Sequence, residues 1–263
     1  MLLKVFIFMN NPTLYHYTKV NGLLGIISNC ELWSSDCRFL NDGSELTYAR
    51  EIFFNEIAQL NLPTRKDDLG YRIPGNSLDD FQIYITCFCE EGDLLSQWRA
   101  YGKEQGYSLG FDSNLLKDLE NVEVFPVQYG IKNPQEYFSR ELQEASQLSE
   151  HPGISEWHQS QWILPRLAQV KNPSFAEERE WRLIVQLDHY KNISNENVNI
   201  KFRTSPLGPI SYVVNSFPKE CLREIIIGPG PNSTICEQSV HSLLDVYEFN
   251  KVIVRVSNIP YRN

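Results

Sequence analysis

The chain has 263 residues, 42% hydrophobic and 22% charged, which is the composition of an ordinary globular protein able to bury a substantial core. Its net charge of −9 and pI of about 5.1 argue against a protein whose main surface coats nucleic acid. A basic groove can exist on a protein whose net charge is negative. The net charge therefore argues against nucleic-acid binding but does not exclude it.

The cysteines and the N-terminal segment bear on metals and location. Six cysteines, at positions 30, 37, 87, 89, 221 and 236, form no Cys-x-x-Cys motif, and no histidine stands at zinc-finger spacing from them. We therefore expect free thiols, no metal and a reducing compartment. The apolar segment Met1–Met9 is too short to span a membrane and lacks a signal-peptide pattern, so we expect a cytoplasmic protein with no membrane partner.

Periodicity and turn signals predict about eight to ten short strands and three or four helices, with no repeated β–α–β rhythm. Strands are expected near 14–18, 31–34, 81–89, 106–111, 121–129, 181–186, 200–203, 210–215, 223–228 and 252–257, and helices near 21–29, 45–59, 133–167 and 234–244. This pattern predicts one α+β domain, 1–263, with a mostly antiparallel sheet, flanking helices and a helical insertion at approximately 133–170.

The first predicted strand carries a histidine next to a helix start. Alternation along Leu14–Thr18 places His16 and Thr18 on one face, and an apolar helix begins at Asn21. Backbone N–H groups at a helix N-terminus attract phosphate, so this strand is a candidate ligand site. A histidine that is hydrogen-bonded within the core is the equally supported alternative.

A second candidate region follows the strand 81–89. If that strand pairs with 106–111, Arg99, Tyr107 and Ser108 lie in one neighbourhood. Arg99 beside Trp98 suits phosphate binding combined with stacking on a ring. The alternative is a surface arginine that covers Trp98.

The third candidate is the charge-rich segment 172–185. Glu178 and Glu180 are two residues apart at the start of a predicted strand, where an extended backbone would point both the same way. Like charges at that distance raise one another's pKa, which suits acid–base or cation-stabilising chemistry. Arg179 or Arg182 could equally neutralise them, and spacing alone favours that structural ion-pair cluster.

Several motifs together resemble the bacterial domain-of-unknown-function family 2971, and the resemblance spans most of the chain. They lie at 14–18, 32–42, 87–99, 106–111 and 175–182. Their order is similar to that of the ADP-ribosyltransferase superfamily, which has an early strand with His or Arg, a Ser-rich or Tyr-bearing middle strand, and a late Glu at a strand start. The resemblance implies a split β-sheet core.

The resemblance also implies a role in NAD binding for residues on the early and middle strands. His16 and Thr18 would hold the nicotinamide-side ribose, and Tyr107 and Ser108 would line the nicotinamide pocket. Arg99 and Arg182 complete the expected NAD-binding set. Thr86–Cys89 departs from the Ser-Thr-Ser pattern of some classes in the superfamily.

The catalytic residues implied in the same way are Glu180, Glu178 and His16. Glu180 would stabilise the oxocarbenium-like centre as nicotinamide leaves, because a pre-placed carboxylate opposes positive charge that develops on the ribose. Glu178 would orient or deprotonate the acceptor.

The expected function is thus an NAD-dependent enzyme that cleaves the nicotinamide–ribose bond and modifies a macromolecular acceptor, either protein or nucleic acid. In a bacterium this activity would fit a toxin or an antiphage effector. One alternative is a non-catalytic ligand- or partner-binding domain with a structural Glu/Arg cluster. The other is a metal-independent nucleic-acid-processing enzyme.

Overall fold

The computed structural model describes residues 12–40, 48–49, 51–53, 55, 82–101, 105–146, 162–187 and 200–260. Within these ranges the fold is α+β, and its strands pair mostly in antiparallel fashion, which confirms the predicted class. The chain forms two compact units, each made of separate segments. The single domain 1–263 and the extent of its helical insertion stay predictions.

The first unit comprises residues 1–31, 88–119 and 216–263. Its strands are β1 (Thr13–Lys19), the last residues of β3 (Gln82–Cys89), β4 (Gly106–Asp112), β11 (Leu222–Ile227) and β12 (Ile253–Val256); its helices are α1 (Val20–Asn29), α2 (Leu95–Tyr101), α3 (Ser113–Lys117) and α6 (Ser233–Val246). The strand order is β12-β11-β4-β1, and only β11 and β12 are parallel there.

The first strand, β1, is central because both of its edges are paired. It pairs with β4 along its whole length, and Tyr15 lies opposite Cys89 on its other side. Leu14 and Tyr17 lie on opposite faces of β1 and both are buried, so both faces of this strand are covered. Because β1 lies between β3 and β4, those two strands do not pair, and the condition on which the second candidate region depended is not met.

The second unit comprises residues 32–87 and 120–215. Its strands are β2 (Glu31–Asp36), most of β3, β5 (Glu123–Pro126), β6 (Gln128–Tyr129), β7 (Val170–Lys171), β8 (Glu180–Leu187), β9 (Ile200–Ser205) and β10 (Gly208–Ser216); its helices are α4 (Pro134–Ser146) and α5 (162–167). The order is β3-β2-β10-β9, and β8 pairs with β3 and β5.

The predicted helix at 45–59 lies largely outside the described residues, although 48–49, 51–53 and 55 are helical. Ala49 and Phe53 are buried there against Phe138 and Ile163, so an apolar core forms between these helical segments. No helix in the described ranges is long and apolar enough to cross a membrane. The segment Met1–Met9 lies outside those ranges.

Helix α1 gives a prediction about stability, because its two glycines have different surroundings. A Cβ added to Gly22 would meet the Oγ1 of Thr18 at 1.9 Å, whereas nothing lies within 4 Å of a Cβ added to Gly25. We expect Gly22→Ala to displace the Thr18 side chain and to destabilise the protein by about 1–3 kcal/mol. Gly25→Ala should stabilise it by up to about 1 kcal/mol, because alanine is the better helix former.

Urea denaturation of the two alanine variants measures this difference. Both substitutions have the same intrinsic effect on helix formation, so the contrast isolates the packing of Thr18 against Gly22. Equal stability of the two variants would show that Thr18 moves aside at no cost.

Candidate functional site

The carboxylates predicted from the sequence lie at a change of backbone direction in the second unit. A 3-10 helix, Pro173–Glu178, is capped by Asn172, whose side chain accepts a hydrogen bond from the Ser174 N–H at 2.9 Å. Arg179 then adopts a left-handed conformation with φ of 43°, and β8 begins at Glu180. Glu178 therefore belongs to a helical turn, and the expectation that both glutamates follow one extended strand is wrong.

Lys171 joins the two glutamates instead. Its Nζ lies 2.6 Å from Glu178 Oε2 and 2.9 Å from Glu180 Oε2, and the ring of Phe175 is 4.9 Å away. The Lys171 side chain is buried, so one ammonium group with two carboxylate partners satisfies the requirement that a buried charge be paired. This lysine sets the separation of Glu178 and Glu180.

Arg182 binds the other side of Glu180. Its Nε donates to Glu180 Oε1 at 2.7 Å, its Nη2 donates to Glu180 Oε2 at 3.1 Å, and its Nη1 donates to the Ala168 carbonyl at 2.6 Å. Arg182 is 1% exposed and Glu180 is 6% exposed. The two-pronged pairing matches the planar geometry of guanidinium and carboxylate. We define Lys171, Glu178, Glu180 and Arg182 as the glutamate cluster.

Glu180 stays ionised in this environment. Desolvation by burial raises its pKa, but the charge and hydrogen bonds of Arg182, followed by the charge of Lys171, outweigh burial and lower the pKa from 4.5 to about 2. The expectation that the neighbouring carboxylate raises this pKa is wrong, because two cations lie nearer to Glu180 than the sequence spacing suggested. Glu180 is thus unsuited to donating or accepting protons near neutral pH.

This lowered pKa predicts how acid affects the fold. A carboxyl group with a pKa of 4.5 when unfolded and about 2 when folded contributes stability that is present above about pH 5 and is lost as the pH falls toward 2. The difference corresponds to about 3 kcal/mol. Urea unfolding at pH 7, 5, 4 and 3 measures it.

Asp112 provides the control for that experiment, because its pKa is also lowered, first by its hydrogen bond with Arg223. Asp112→Asn should therefore retain most of the acid sensitivity that Glu180 causes. Stability that does not change between pH 5 and pH 3 would contradict the ion pairing of Glu180.

The two carboxylates of the glutamate cluster differ in their solvent exposure. The Glu178 side chain is 33% exposed, while both Glu180 oxygens are bonded to buried cations. The Glu180 N–H donates to Tyr129 Oη at 2.6 Å, and burial raises the pKa of Tyr129 to about 12. Glu178 is consequently the carboxylate of the cluster that solvent or a ligand can reach most readily.

The remaining candidate residues lie in the first unit. Thr18 is opposite Tyr107 and His16 is opposite Leu109, so His16, Thr18 and Tyr107 share one face of the β1–β4 pair. Ser108 pairs with Tyr17, is fully buried and lies on the other face. The register thus separates Tyr107 from Ser108, which the sequence placed together.

Their surroundings are mostly apolar. The rings of His16 and Phe88 meet edge to face at 5.8 Å, and Tyr107 is buried with its pKa raised to about 12 by desolvation and by Cys236. Arg99 is exposed in the last turn of α2, whereas Trp98 packs in the core against Tyr17. The role of these residues in NAD binding stays a prediction.

Lys171 and Tyr129 are the site residues that sequence reasoning missed. Lys171 follows Gln169 and Val170 and precedes Asn172, a context that gives no sign of burial, because lysine side chains are mostly exposed. Tyr129 gave no signal either, because its contact with the Glu180 backbone depends on pairing across 51 residues. No group of three or more His, Cys, Asp or Glu within the described ranges could hold a metal ion.

The class defined so far is an α+β protein with a buried Glu–Lys–Arg cluster at the start of a strand. The model of the family "Protein of unknown function (DUF2971)" matches residues 97–183, which confirms the resemblance over that part of the chain. No curated protein matches the chain. Among solved structures, DarT of Thermus sp. 2.9 in complex with ADP-ribosylated ssDNA aligns over 94% of this chain and 95% of its own, with 12% identity and a TM-score of 0.36.

Proposed function

We propose that this chain is an ADP-ribosyltransferase-like enzyme that uses NAD as substrate and modifies a macromolecular acceptor. The observation that supports this most directly is the partly exposed carboxylate of Glu178, which Lys171 holds 2.6 Å from its own ammonium group. Lys171 is in turn held by Glu180, which Arg182 keeps in place. A reactive carboxylate supported by buried neighbours is preorganised for electrostatic catalysis.

The chemistry requires one bond to break and one to form at the same carbon. The bond from ribose C1′ to the nicotinamide nitrogen breaks, and nicotinamide leaves with the electron pair. Positive charge that develops on the ribose is stabilised by an adjacent carboxylate, which we assign to Glu178. The acceptor nucleophile then bonds to C1′ and releases its proton to solvent or to a neighbouring base.

In this proposal the sequence-derived roles of the two glutamates change. Glu180 is a positioning residue, because both of its oxygens are bonded to Lys171 and Arg182. Arg182 supports Glu180 in the same way, since it is buried and bonded to it. His16, Thr18 and Tyr107 remain the residues proposed to bind the nicotinamide end of NAD, and exposed Arg99 is proposed to bind its phosphates.

Two measurements test the proposal on the purified wild-type chain. NAD should raise the melting temperature, because a ligand that binds only the folded state stabilises it by about 2.7 kcal/mol at one hundred times its Kd. Incubation with NAD should also release nicotinamide. An unchanged melting temperature and no nicotinamide release in the presence of candidate acceptors would contradict the proposal.

A second candidate is a non-catalytic binding domain in which the glutamate cluster is structural. It is favoured by the burial of Glu180 and Arg182, because a fully paired internal network needs no ligand to satisfy it. If the domain is of this kind, NAD should have no effect on the melting temperature. Substitution of Glu178 should then change neither the stability of the fold nor the binding of its ligand or partner to any large degree.

A further inference from the structure

An exposed tryptophan lies on the sheet of the second unit. Trp33 on β2 is 44% exposed, and its ring stacks on Tyr212 of β10 with centroids 4.3 Å apart and planes inclined by 24°. Tyr212 itself is buried, so it serves as a rigid backing for the tryptophan ring. A large aromatic ring fixed by stacking while nearly half exposed offers a flat apolar surface to a ligand.

Two cationic side chains lie on the same face as Trp33. In the β9–β10 pair, Lys201 is opposite Tyr212 and Arg203 is opposite Ile210, and residues directly opposite each other share a face. Arg203 Nη2 also donates to the Oγ of Ser35 at 3.1 Å. Ser35 follows Trp33 by two residues on β2, which independently places Arg203 on this face. We call Trp33, Tyr212, Lys201 and Arg203 the Trp33 platform.

The platform is distinct from the other face of the same strands. Phe202 lies between the two cations in sequence, is 67% exposed and pairs with Ser211, so it points to the opposite face. Alternation along β2 puts Glu31, a partly exposed carboxylate, on the same face as Trp33. The platform itself therefore carries two positive charges, and Glu31 is a carboxylate on the same face of β2, on a chain with a net charge of −9.

We propose that the Trp33 platform binds single-stranded nucleic acid. An unpaired base can stack on the exposed ring, and its flanking phosphates can reach the ammonium and guanidinium groups of Lys201 and Arg203. Bases within a duplex are already stacked on each other, so they cannot offer a face to Trp33 without being unpaired. Charge complementarity favours this polyanion, because Lys201 and Arg203 lie on the same face as the exposed ring.

Fluorescence anisotropy tests the proposal without NAD and without turnover, so its result is independent of the function proposed for Glu178. The probes are a labelled 12-nucleotide thymidine oligomer, its RNA counterpart, and a duplex of equal length. Trp33→Ala should weaken binding of the single strands by about ten-fold or more, as expected for loss of a base stack. Trp33→Phe keeps a ring and should retain most of the affinity.

Phe202→Ala is the matched control, because it removes an aromatic ring that is even more exposed than Trp33 from the other face and should leave binding unchanged. Arg203→Gln should weaken binding and reduce the slope of log K against log salt by about 0.7, the value for one phosphate contact on a single strand. Glu31→Gln should strengthen binding.

Binding of DNA, of RNA or of both would support the proposal, since the platform recognises a base face and phosphates common to the two. Equal loss in Phe202→Ala and Trp33→Ala would overturn it. Failure of both single-stranded oligomers to bind, or tighter binding of the duplex, would also overturn it and would leave a protein partner as the occupant.

Discussion

Replacement of Glu178 by glutamine should reduce NAD cleavage by about 10²–10³-fold while the protein stays folded. Glutamine has nearly the same shape as glutamate but no charge, so it cannot stabilise positive charge on the ribose. Lys171 keeps Glu180 as its partner at 2.9 Å, and the Glu178 side chain is one-third exposed, so we expect at most about 1 kcal/mol of destabilisation. Nicotinamide release and urea denaturation measure the two effects.

Glu177 supplies the matched control for this substitution. It precedes Glu178 in the same 3-10 helix and is exposed, so Glu177→Gln makes the same change in net charge in almost the same place. Its turnover should equal that of the wild type. If Glu178→Gln also retained full turnover, the assignment of the substrate-facing carboxylate to Glu178 would be wrong.

Replacement of Glu180 by glutamine should instead destabilise the fold by about 3–5 kcal/mol. The substitution removes the carboxylate that binds the Arg182 guanidinium, which is 1% exposed, and breaking a buried pair in this way is costly because the remaining charge stays desolvated. The loss should shrink as the pH falls from 5 toward 2, because wild-type Glu180 then becomes protonated as well. Chemical denaturation at several pH values measures both results.

A double substitution shows how much of the stability loss comes from the Glu180–Arg182 ion pair and how much from the packing of the two side chains. If the ion pair carries the effect, Glu180→Gln combined with Arg182→Met should cost less than the sum of the two single substitutions, because neither charge is then left alone in the core. Additive costs would mean that Glu180 and Arg182 act through separate contacts. Loss of turnover in Glu180→Gln at a temperature where the variant is folded would fit a positioning role.

The sequence predicted most of the regular elements, because local periodicity determines them. Alternation along 14–18 and 106–111 corresponds to β1 and β4, and the apolar segment after Asn21 corresponds to α1. The start of β8 at Glu180 was also expected, since a charged cluster there precedes an apolar β-branched segment. These features depend on residues close together in the chain.

The parts that could not be predicted depend on residues far apart in the chain. The position of β1 between β3 and β4 is decided by long-range pairing, which no local pattern encodes. Alternation along β4 alone separates Tyr107 from Ser108, but only the register with β1 decides that Tyr107 is the one that shares a face with His16 and Thr18. The lowered pKa of Glu180 comes first from Arg182, which the sequence offered as a neutralising partner, and then from Lys171, whose contact across nine residues no local pattern indicated.

The position of β1 also has a consequence for biosynthesis. The first unit is made of residues 1–31, 88–119 and 216–263. Its first strand, β1, is therefore synthesised well before the strands with which it pairs. On a ribosome, β1 can pair with β4 only after about 90 further residues have been translated, and β4 can pair with β11 only after about 110 more. Such non-local pairing folds slowly. We expect the nascent chain to expose apolar strand edges throughout translation and to depend on chaperones until β11 emerges.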